Sequence, residues 1–302
     1  MIRHLQGDRP RGGHGPLSFR IGAIGVSVRS DLDEALEDFA SLYHSFRREE
    51  TGSSDLIHIE VRRAGRSLGG GRRYAVCGDG EEIGRSCRRE EVLPYIEWGI
   101  NWRVIKRHGE FLQLHAATLV RNGQGAIFAA SSGSGKSTLA AGLLARGWKY
   151  LSDEFALVDP GTLRLHPFPK AVCIKAGSFD VIDRLNLIPW RRRYYVKAFK
   201  GRVGYLSPHE VASRPVAPPS PVRLIVFPKY IEGCRPRLYS LTRAQAAIGL
   251  ASSVLNRSAF GDRVTSILVD LVRGAECYRL ECGAIEPTCD LVDALIQPAL
   301  PE

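Results

Sequence analysis

The segment that most restricts what this chain can fold into is GAIFAASSGSGKSTLAAGLL, residues 125–144. An apolar, β-prone run ends at Ala130, a turn of small residues follows from Ser131 to Gly135, and Lys136, Ser137 and Thr138 open a helix. Strand, glycine turn and helix in that order aim successive backbone N–H groups at one point, where the helix dipole also favours negative charge. Only small residues let the backbone come that close to an anion. The pattern predicts a phosphate cradle of Ser132, Gly133, Ser134, Gly135, Lys136, Ser137 and Thr138. Lys136 would reach the β- and γ-phosphates of a nucleotide such as ATP, and the Ser137 hydroxyl would bind Mg²⁺. The full pattern G-x-x-x-x-G-K-[ST] sets glycine at position 130, and Ala130 can stand there only if its φ stays negative. A Ser/Gly loop that merely precedes a lysine is the plainer alternative, and the strand before and helix after speak against it.

The rest of the chain gives this segment a setting. Its 302 residues are 44% hydrophobic and 25% charged, an ordinary globular mix that excludes fibrous, mucin-like and wholly disordered chains. At roughly 150 residues per domain, two domains fit. Residues 1–16, rich in Gly, Pro and Arg, read as a disordered tail. Residues 17–107 read as a small N-terminal α+β module. In it LSFRIGAIGVSVRS forms a strand, Asp31–Phe46 a helix, DLIHIEVRR a strand, and RRAGRSLGGGRRYAV the centre of a hairpin. Glu91–Arg107 closes it as an amphipathic helix with Pro94 in the first turn. From 108 to 302, FLQLHAATLV and GAIFAA form a hairpin through Asn122-Gly123. The apolar run PVRLIVF and the strand ECYRLEC then alternate with helices over TRAQAAIGLASSVL, TSILVDLV and EPTCDLVDALI, which predicts an α/β sheet.

No stretch approaches about 18 uninterrupted apolar residues, and MIRHLQGDRPRGGHGPL has no apolar core behind its charges. The expectation is a cytoplasmic protein with neither a membrane span nor a signal peptide. Seven cysteines, odd in number and without C-x-x-C spacing, fit that compartment. They read as buried free thiols, with a metal cluster of Cys277, Cys282 and Cys289 as the alternative.

Asp153 and Glu154 follow Lys136 by seventeen and eighteen positions, at the end of the strand YLS. Carboxylates beside a phosphate loop can hold Mg²⁺ or take a proton from an attacking hydroxyl, and two of them allow both jobs to be divided. An acidic turn capping the next hairpin is the alternative. His115 lies in the apolar strand LQLHAATLV, where a packed core histidine is the ordinary reading, although the hairpin returns that position past the loop.

The formal charge of +10 is concentrated in two places. Arg191–Arg202, RRRYYVKAFKGR, holds six cations, and Arg62, Arg63, Arg66, Arg72 and Arg73 add five more, which leaves the remainder at −1. The first segment could bring Lys200 or Arg202 over a transferring γ-phosphate. Its interleaved Arg and Tyr would also suit single-stranded nucleic acid, although nucleic acid is the less favoured partner, and a solvated loop is the plain reading. The second cluster would meet an acidic partner or keep a sheet edge soluble.

LHAATLV, ASSGSGKS and ARGWKYLSDEFALVD together resemble the core of bacterial HPr kinase/phosphorylase. Nearly the whole chain resembles the HPr-kinase-related kinase A proteins associated with exosortase and exopolysaccharide loci, through RGWKYLSDEFALVD, KGRVGYLSP, RLIVFPKY and AECYRLEC. The resemblance implies a P-loop core of the HPr kinase/PEP carboxykinase type over 108–302. It implies Lys136 on the phosphates, Ser137 on Mg²⁺, Asp153 as the base that activates an acceptor serine, Glu154 assisting at the metal, and His115 orienting Asp153 or a phosphate. HPr kinases carry a further Glu-x-Arg-Gly segment where this chain has KAVCIKAG, with Lys170 and Lys175 and no acid. That departure implies thinner metal coordination, and it counts against the reverse phosphorylase activity and against HPr as the substrate. The expected function is an ATP- and Mg²⁺-dependent kinase, a phosphorelay-type transferase acting on a hydroxyl of a protein or peptide. A homo-oligomer is compatible with it. A P-loop ATPase switch, or a nucleotide sensor without transfer, are the alternatives. The chain has no L-S-G-G-Q or N-K-x-D segment, and its intact Lys136, Ser137 and Asp153 favour transfer.

Overall fold

Gly22, at φ +64°, turns the chain back after β1 (Leu17–Ile21), so that β2 (Ile24–Ser30) pairs with it antiparallel. The single strand expected over LSFRIGAIGVSVRS is therefore a tight hairpin. Position 22 has no room for a side chain, since a Cβ there would run into the Pro167 carbonyl oxygen. α1 (Asp33–Leu42) crosses over, and β3 (Arg47–Arg48) pairs with the outer edge of β1. β4 (Leu56–Arg66) returns parallel to β2. β5 (Arg72–Gly78) and β6 (Glu81–Cys87) complete a six-stranded sheet in the order β3-β1-β2-β4-β5-β6. The helix expected to reach Phe46 ends at Leu42, and a 3₁₀ turn carries the chain over His44–Phe46.

α2 (Arg89–Arg107) begins two residues before the expected start. The Glu91 carboxylate accepts the Arg88 N–H at 2.7 Å and so satisfies a donor that the new helix cannot. Pro94 consequently sits in the second turn rather than the first. It is buried, and its ring leaves the Glu90 carbonyl without an i+4 intrahelical donor. The helix packs its Ile96 and Ile100 into a core with Phe39 of α1 and with Val26, Ile59 and Val76 of the sheet. Phe155, Phe168, Tyr195 and Tyr205, from much later in the chain, complete the same core.

The structure is a computed structural model and describes residues 15–48, 55–67, 69–131, 133–187, 193–198 and 200–296. Residues 1–14 of the expected tail, Ser132, Arg191 and Arg192 lie outside the described residues. After α2 come β7 (Leu112–Arg121), β8 (Gln124–Ala129), α3 (Lys136–Ala145), β9 (Lys149–Ser152), β10 (Phe155–Val158) and β11 (Arg164–His166). β12 (Val172–Lys175), α4 (Phe179–Arg184), β13 (Tyr195–Lys197), β14 (Gly201–Leu206) and α5 (Pro208–Val211) follow. The chain continues through β15 (Ser220–Tyr230), β16 (Arg237–Ser240), α6 (Arg243–Ala251), α7 (Arg257–Phe260), α8 (Arg263–Arg273), β17 (Glu276–Cys282) and α9 (Ile285–Asp293).

Eight of these strands form one sheet in the order β11-β10-β7-β8-β15-β17-β16, with β9 also on β7. β8, β15 and β17 are mutually parallel neighbours, and β7 runs antiparallel to β8 through a turn whose Asn122 and Gly123 take φ of +52° and +72°. α3 and α9 bury one face of the sheet, with Leu139, Leu143, Cys289 and Val292 against Phe128 and Val226. α6 and α8 bury the other, with Leu250, Ile267 and Leu271 against Ile127 and Ile225. β12, β14 and β13 form a separate three-stranded antiparallel sheet. The protein is thus a mixed α/β fold of several sheets, with helices on both faces of the largest. Among the described residues, no helix is long and apolar enough to cross a membrane.

Candidate functional site

The turn after β8 needs its glycines for conformational reasons. Gly133 and Gly135 take φ of +94° and +86°, where a side chain would be strained. Ala130 is not among the described non-glycine residues with positive φ, so alanine fits where the full motif would set glycine. β15 outruns β8 and passes beside the turn, and the Tyr230 N–H donates to the Ser134 carbonyl at 3.1 Å. Pro228 is tolerated in this central strand because residues 226, 228 and 230 turn their backbone nitrogens to the same side. The β8 ladder has already ended at Val226 on that side. Leu139 N–H closes the first turn of α3 on the Gly135 carbonyl at 2.9 Å, while the Thr138 hydroxyl donates to Ser178 Oγ at 2.7 Å. Lys136 is buried at the head of the helix. Ser132, expected in the cradle, lies outside the described residues.

Asp153 and Glu154 interrupt what is otherwise one run along β7. β9 and β10 pair with the same side of β7 at Ser152–Thr118 and Phe155–His115, and the two acids lie in the gap between them. They directly follow the end of β9, as expected, and β10 takes up the pairing with β7 at Phe155. Ser152 Oγ accepts the N–H groups of Glu154 at 3.3 Å and Phe155 at 3.2 Å, which holds the break open. Because β7 lies between β8 and β10, His115 sits next to the end of β8 and next to Phe155 at once. Sheet order alone brings it to both the loop and the acids.

His115 Nε2 lies 3.3 Å from Lys136 Nζ. An ammonium has no acceptor capacity, so Nε2 accepts and Nδ1 carries the ring proton, facing Glu154 with Oε2 at 4.0 Å. Burial lowers the imidazole pKa, the Lys136 charge lowers it further, and Glu154 only partly opposes them. The neutral ring is favoured. Its partners are thus Lys136 and Glu154, where the resemblance had it orienting Asp153 or a phosphate.

Asp153 is buried, and burial pushes its carboxyl up to about 7 against the pull of Lys136 and the hydrogen bond from Ser137. Glu154 adds to the rise. Asp153 Oδ1 has no hydrogen-bond partner among the described residues, nor has the buried Ser134 hydroxyl. Glu154 moves the other way. Burial would raise it, but Lys197 and Lys136, with help from Lys170 and His115, hold its carboxyl below the usual range. Two adjacent acids thus keep different protonation tendencies. The Ser137 hydroxyl and the two carboxylates form an all-oxygen donor set of the kind that suits Mg²⁺, a cation that keeps waters and substrate phosphates in its remaining positions.

His115, Lys136, Ser137, Asp153 and Glu154 line a cavity of about 750 Å³. Of the basic segment, Lys197 and Lys200 line it too, joined by Lys175 and Arg184, so five cations with Lys136 face two carboxylates. Lys197 is the member sequence reasoning passed over. It lies in β13 and keeps its proton more firmly than an ordinary lysine, since Cys173, Glu154, Glu97 and Asp153 together outweigh its burial. Lys200 is exposed, and burial of part of its stem and the neighbouring Lys197 charge lower its pKa. Arg202 stacks instead over the Tyr194 ring at 4.6 Å.

Lys170 is elsewhere. It is buried in an ion pair with Glu97 at 2.8 Å and bonded to Asn101 Oδ1 at 2.6 Å. The Arg62–Arg73 cluster lies on the exposed β4–β5 hairpin. Cys277, Cys282 and Cys289 are buried free thiols, and among the described residues no three His, Cys, Asp or Glu side chains group as a metal site.

A family model described as SynChlorMet cassette protein ScmC matches residues 95–183, less than a third of the chain. No curated protein matches. Among solved structures, the Hpr(Ser) kinase/phosphatase from Coxiella burnetii is similar at 13% identity, covering 61% of this chain and 92% of that one, with a TM-score of 0.30. At that level of likeness nothing about activity carries over.

Proposed function

We propose that the protein is a nucleotide-dependent kinase that moves the γ-phosphoryl group of ATP to a hydroxyl, with a serine of a protein or peptide as the acceptor. The observation that carries this reading is the buried Asp153 carboxylate, bonded by Ser137 at the head of α3, beside Lys136, and with one oxygen unpartnered. Unpartnered buried atoms occur elsewhere in the protein, Glu97 Oε1 among them, and what distinguishes Asp153 is that its raised carboxyl also lines the cavity beside Lys136.

In this reading the turn N–H groups and Lys136 hold the β- and γ-phosphates, and His115 accepts from Lys136 so that the ammonium keeps one direction. Ser137, Asp153 and Glu154 would hold Mg²⁺, which when bound neutralises charge on the phosphoryl oxygens. The acceptor hydroxyl forms its bond to the γ-phosphorus as the bond to the β,γ-bridging oxygen breaks, and its proton passes to Asp153. Lys197 and Lys200 face the cavity where charge builds up in the transition state.

The test uses γ-labelled ATP, Mg²⁺ and lysate from the protein's own host. Label should pass to a discrete acceptor and disappear from it in Lys136→Ala and Asp153→Asn. Release of free phosphate alone, or nucleotide binding without turnover, overturns the kinase assignment in favour of an ATPase or a sensor.

A further inference from the structure

The cavity has two chemically different halves, and the sheet order sets them on opposite sides of the turn. Toward β7 and β10 lie His115 and the carboxylates. Toward β15 and β17 lie Tyr230, Cys234, Cys282, Ala284, Ile285 and Thr288. This second wall is built from the carboxyl ends of β15 and β17, the parallel strands on the far side of β8 from β7.

Apart from the Tyr230 hydroxyl, its side-chain polar groups are already used internally. The Cys282 carbonyl accepts the Ile231 N–H at 2.9 Å and the Cys234 thiol at 3.4 Å. The Thr288 hydroxyl donates to the Ala284 carbonyl at 2.6 Å. Gly283 lets the two strand ends close up, because a Cβ there would meet the Cys234 carbonyl oxygen. What remains facing the cavity is apolar side-chain surface, with the Tyr230 ring 52% exposed at its rim. A phosphate chain has no use for such a wall, and a cavity of about 750 Å³ lies within the range that accommodates a whole small ligand.

We infer that this wall is the subsite for the nucleoside base, with Tyr230 stacking against it, so that the nucleotide lies across the turn with its base toward β17 and its γ-phosphate toward Asp153. The inference rests on the phosphate-binding reading above, and it assigns the acceptor to the opposite, cationic half.

Two measurements on the full chain test it, both independent of turnover. In the first, alkylation of Cys234 by N-ethylmaleimide is followed by peptide mass spectrometry, with Cys77 in β5 as the internal control. Saturating Mg-ATP should slow modification of Cys234 and leave Cys77 unchanged, whereas inorganic tripolyphosphate, which has phosphates and no base, should slow neither. In the second, Tyr230→Ala should weaken ATP by about tenfold or more and leave tripolyphosphate affinity as it was. The exposed ring makes this a change the fold tolerates. Alkylation of Cys234 at the same rate with and without ATP, or undiminished ATP affinity in Tyr230→Ala, overturns the base subsite. If tripolyphosphate still binds in a Lys136-dependent way, the phosphate reading survives that failure. Absence of binding by both compounds overturns both.

Discussion

Two sets of charges are buried in this molecule, and they are finished differently. At the junction of α2 and β12, Lys170 meets the Glu97 carboxylate, the Glu97 carbonyl and Asn101, so its three protons each have an acceptor. At the head of α3, Asp153 is buried just as deeply, its Oδ1, like Glu97 Oε1, has no hydrogen-bond partner among the described residues, and its carboxyl rises to about 7. The first arrangement gives the ammonium all its acceptors and lines no part of the cavity, whereas Asp153 does. The second sets an acid of raised pKa against a cavity, the combination that marks a candidate site rather than an ion pair that only packs.

Changing Asp153 should have the largest effect. Asp153→Asn should lower phosphoryl transfer by about 10²–10⁴-fold and at the same time stabilise the metal-free protein. The folded-state carboxyl lies above its ordinary 3.8, so the folded state binds the extra proton, and wild-type stability falls as pH rises from that range toward about 7. The gain in the variant should reach as much as about 4 kcal/mol at pH 8 and nearly vanish near pH 4. Urea unfolding with chelator at both pH values measures it, and a larger gain at the acid end contradicts the argument.

Next in size, Glu97→Ala strands the Lys170 ammonium and should cost about 3–5 kcal/mol. Replacing both partners, Glu97→Leu with Lys170→Met, should recover most of that loss in the same assay.

Asp38→Asn comes third. Buried Asp38 of α1 accepts two hydrogen bonds from Arg193 Nη1, at 2.7 and 2.6 Å, and a third from Tyr195 OH at 2.7 Å. The loss should be about 1–3 kcal/mol. Because Tyr195 shares β13 with Lys197, transfer activity should fall along with thermal stability, and unchanged activity would show that this anchor does not set Lys197.

The smallest effect belongs to the exposed hairpin. Arg66 and Arg72 are directly paired across β4 and β5, a like-charge contact that mildly opposes the strand pair. Arg66→Ser should therefore shift stability by no more than about 0.5 kcal/mol, in the favourable direction if at all.

Much of the site was legible where chemistry is local. The turn residues Gly133 and Gly135 sit in left-handed backbone, and a glycine turn between an apolar strand and a helix announces that need in sequence. The adjacency of Asp153 and Glu154 was equally readable. Their setting inside a broken strand was not, because both halves pair with β7 and register is a property of two segments. For the same reason the basic segment could not be resolved into Lys197 facing the cavity and Arg202 on Tyr194. Lys170 read as a cation standing where an acid would be expected, yet its partner is Glu97, 73 residues away. The hairpin at Gly22 went unread because continuous alternation on both sides hides a reversal that only the positive φ reveals.

The amino-acid sequence by itself determined the turn, the helix that follows it and the residue types available for anions and protons, since backbone conformation and side-chain chemistry are set within a few positions. Tertiary structure decided which of those groups meet. Strand order put His115 between loop and acids, burial raised one carboxyl while neighbouring lysines lowered the other, and the ends of β15 and β17 made an apolar wall opposite them. Those outcomes depend on desolvation and on charges distant in sequence, and neither exists until the chain has folded.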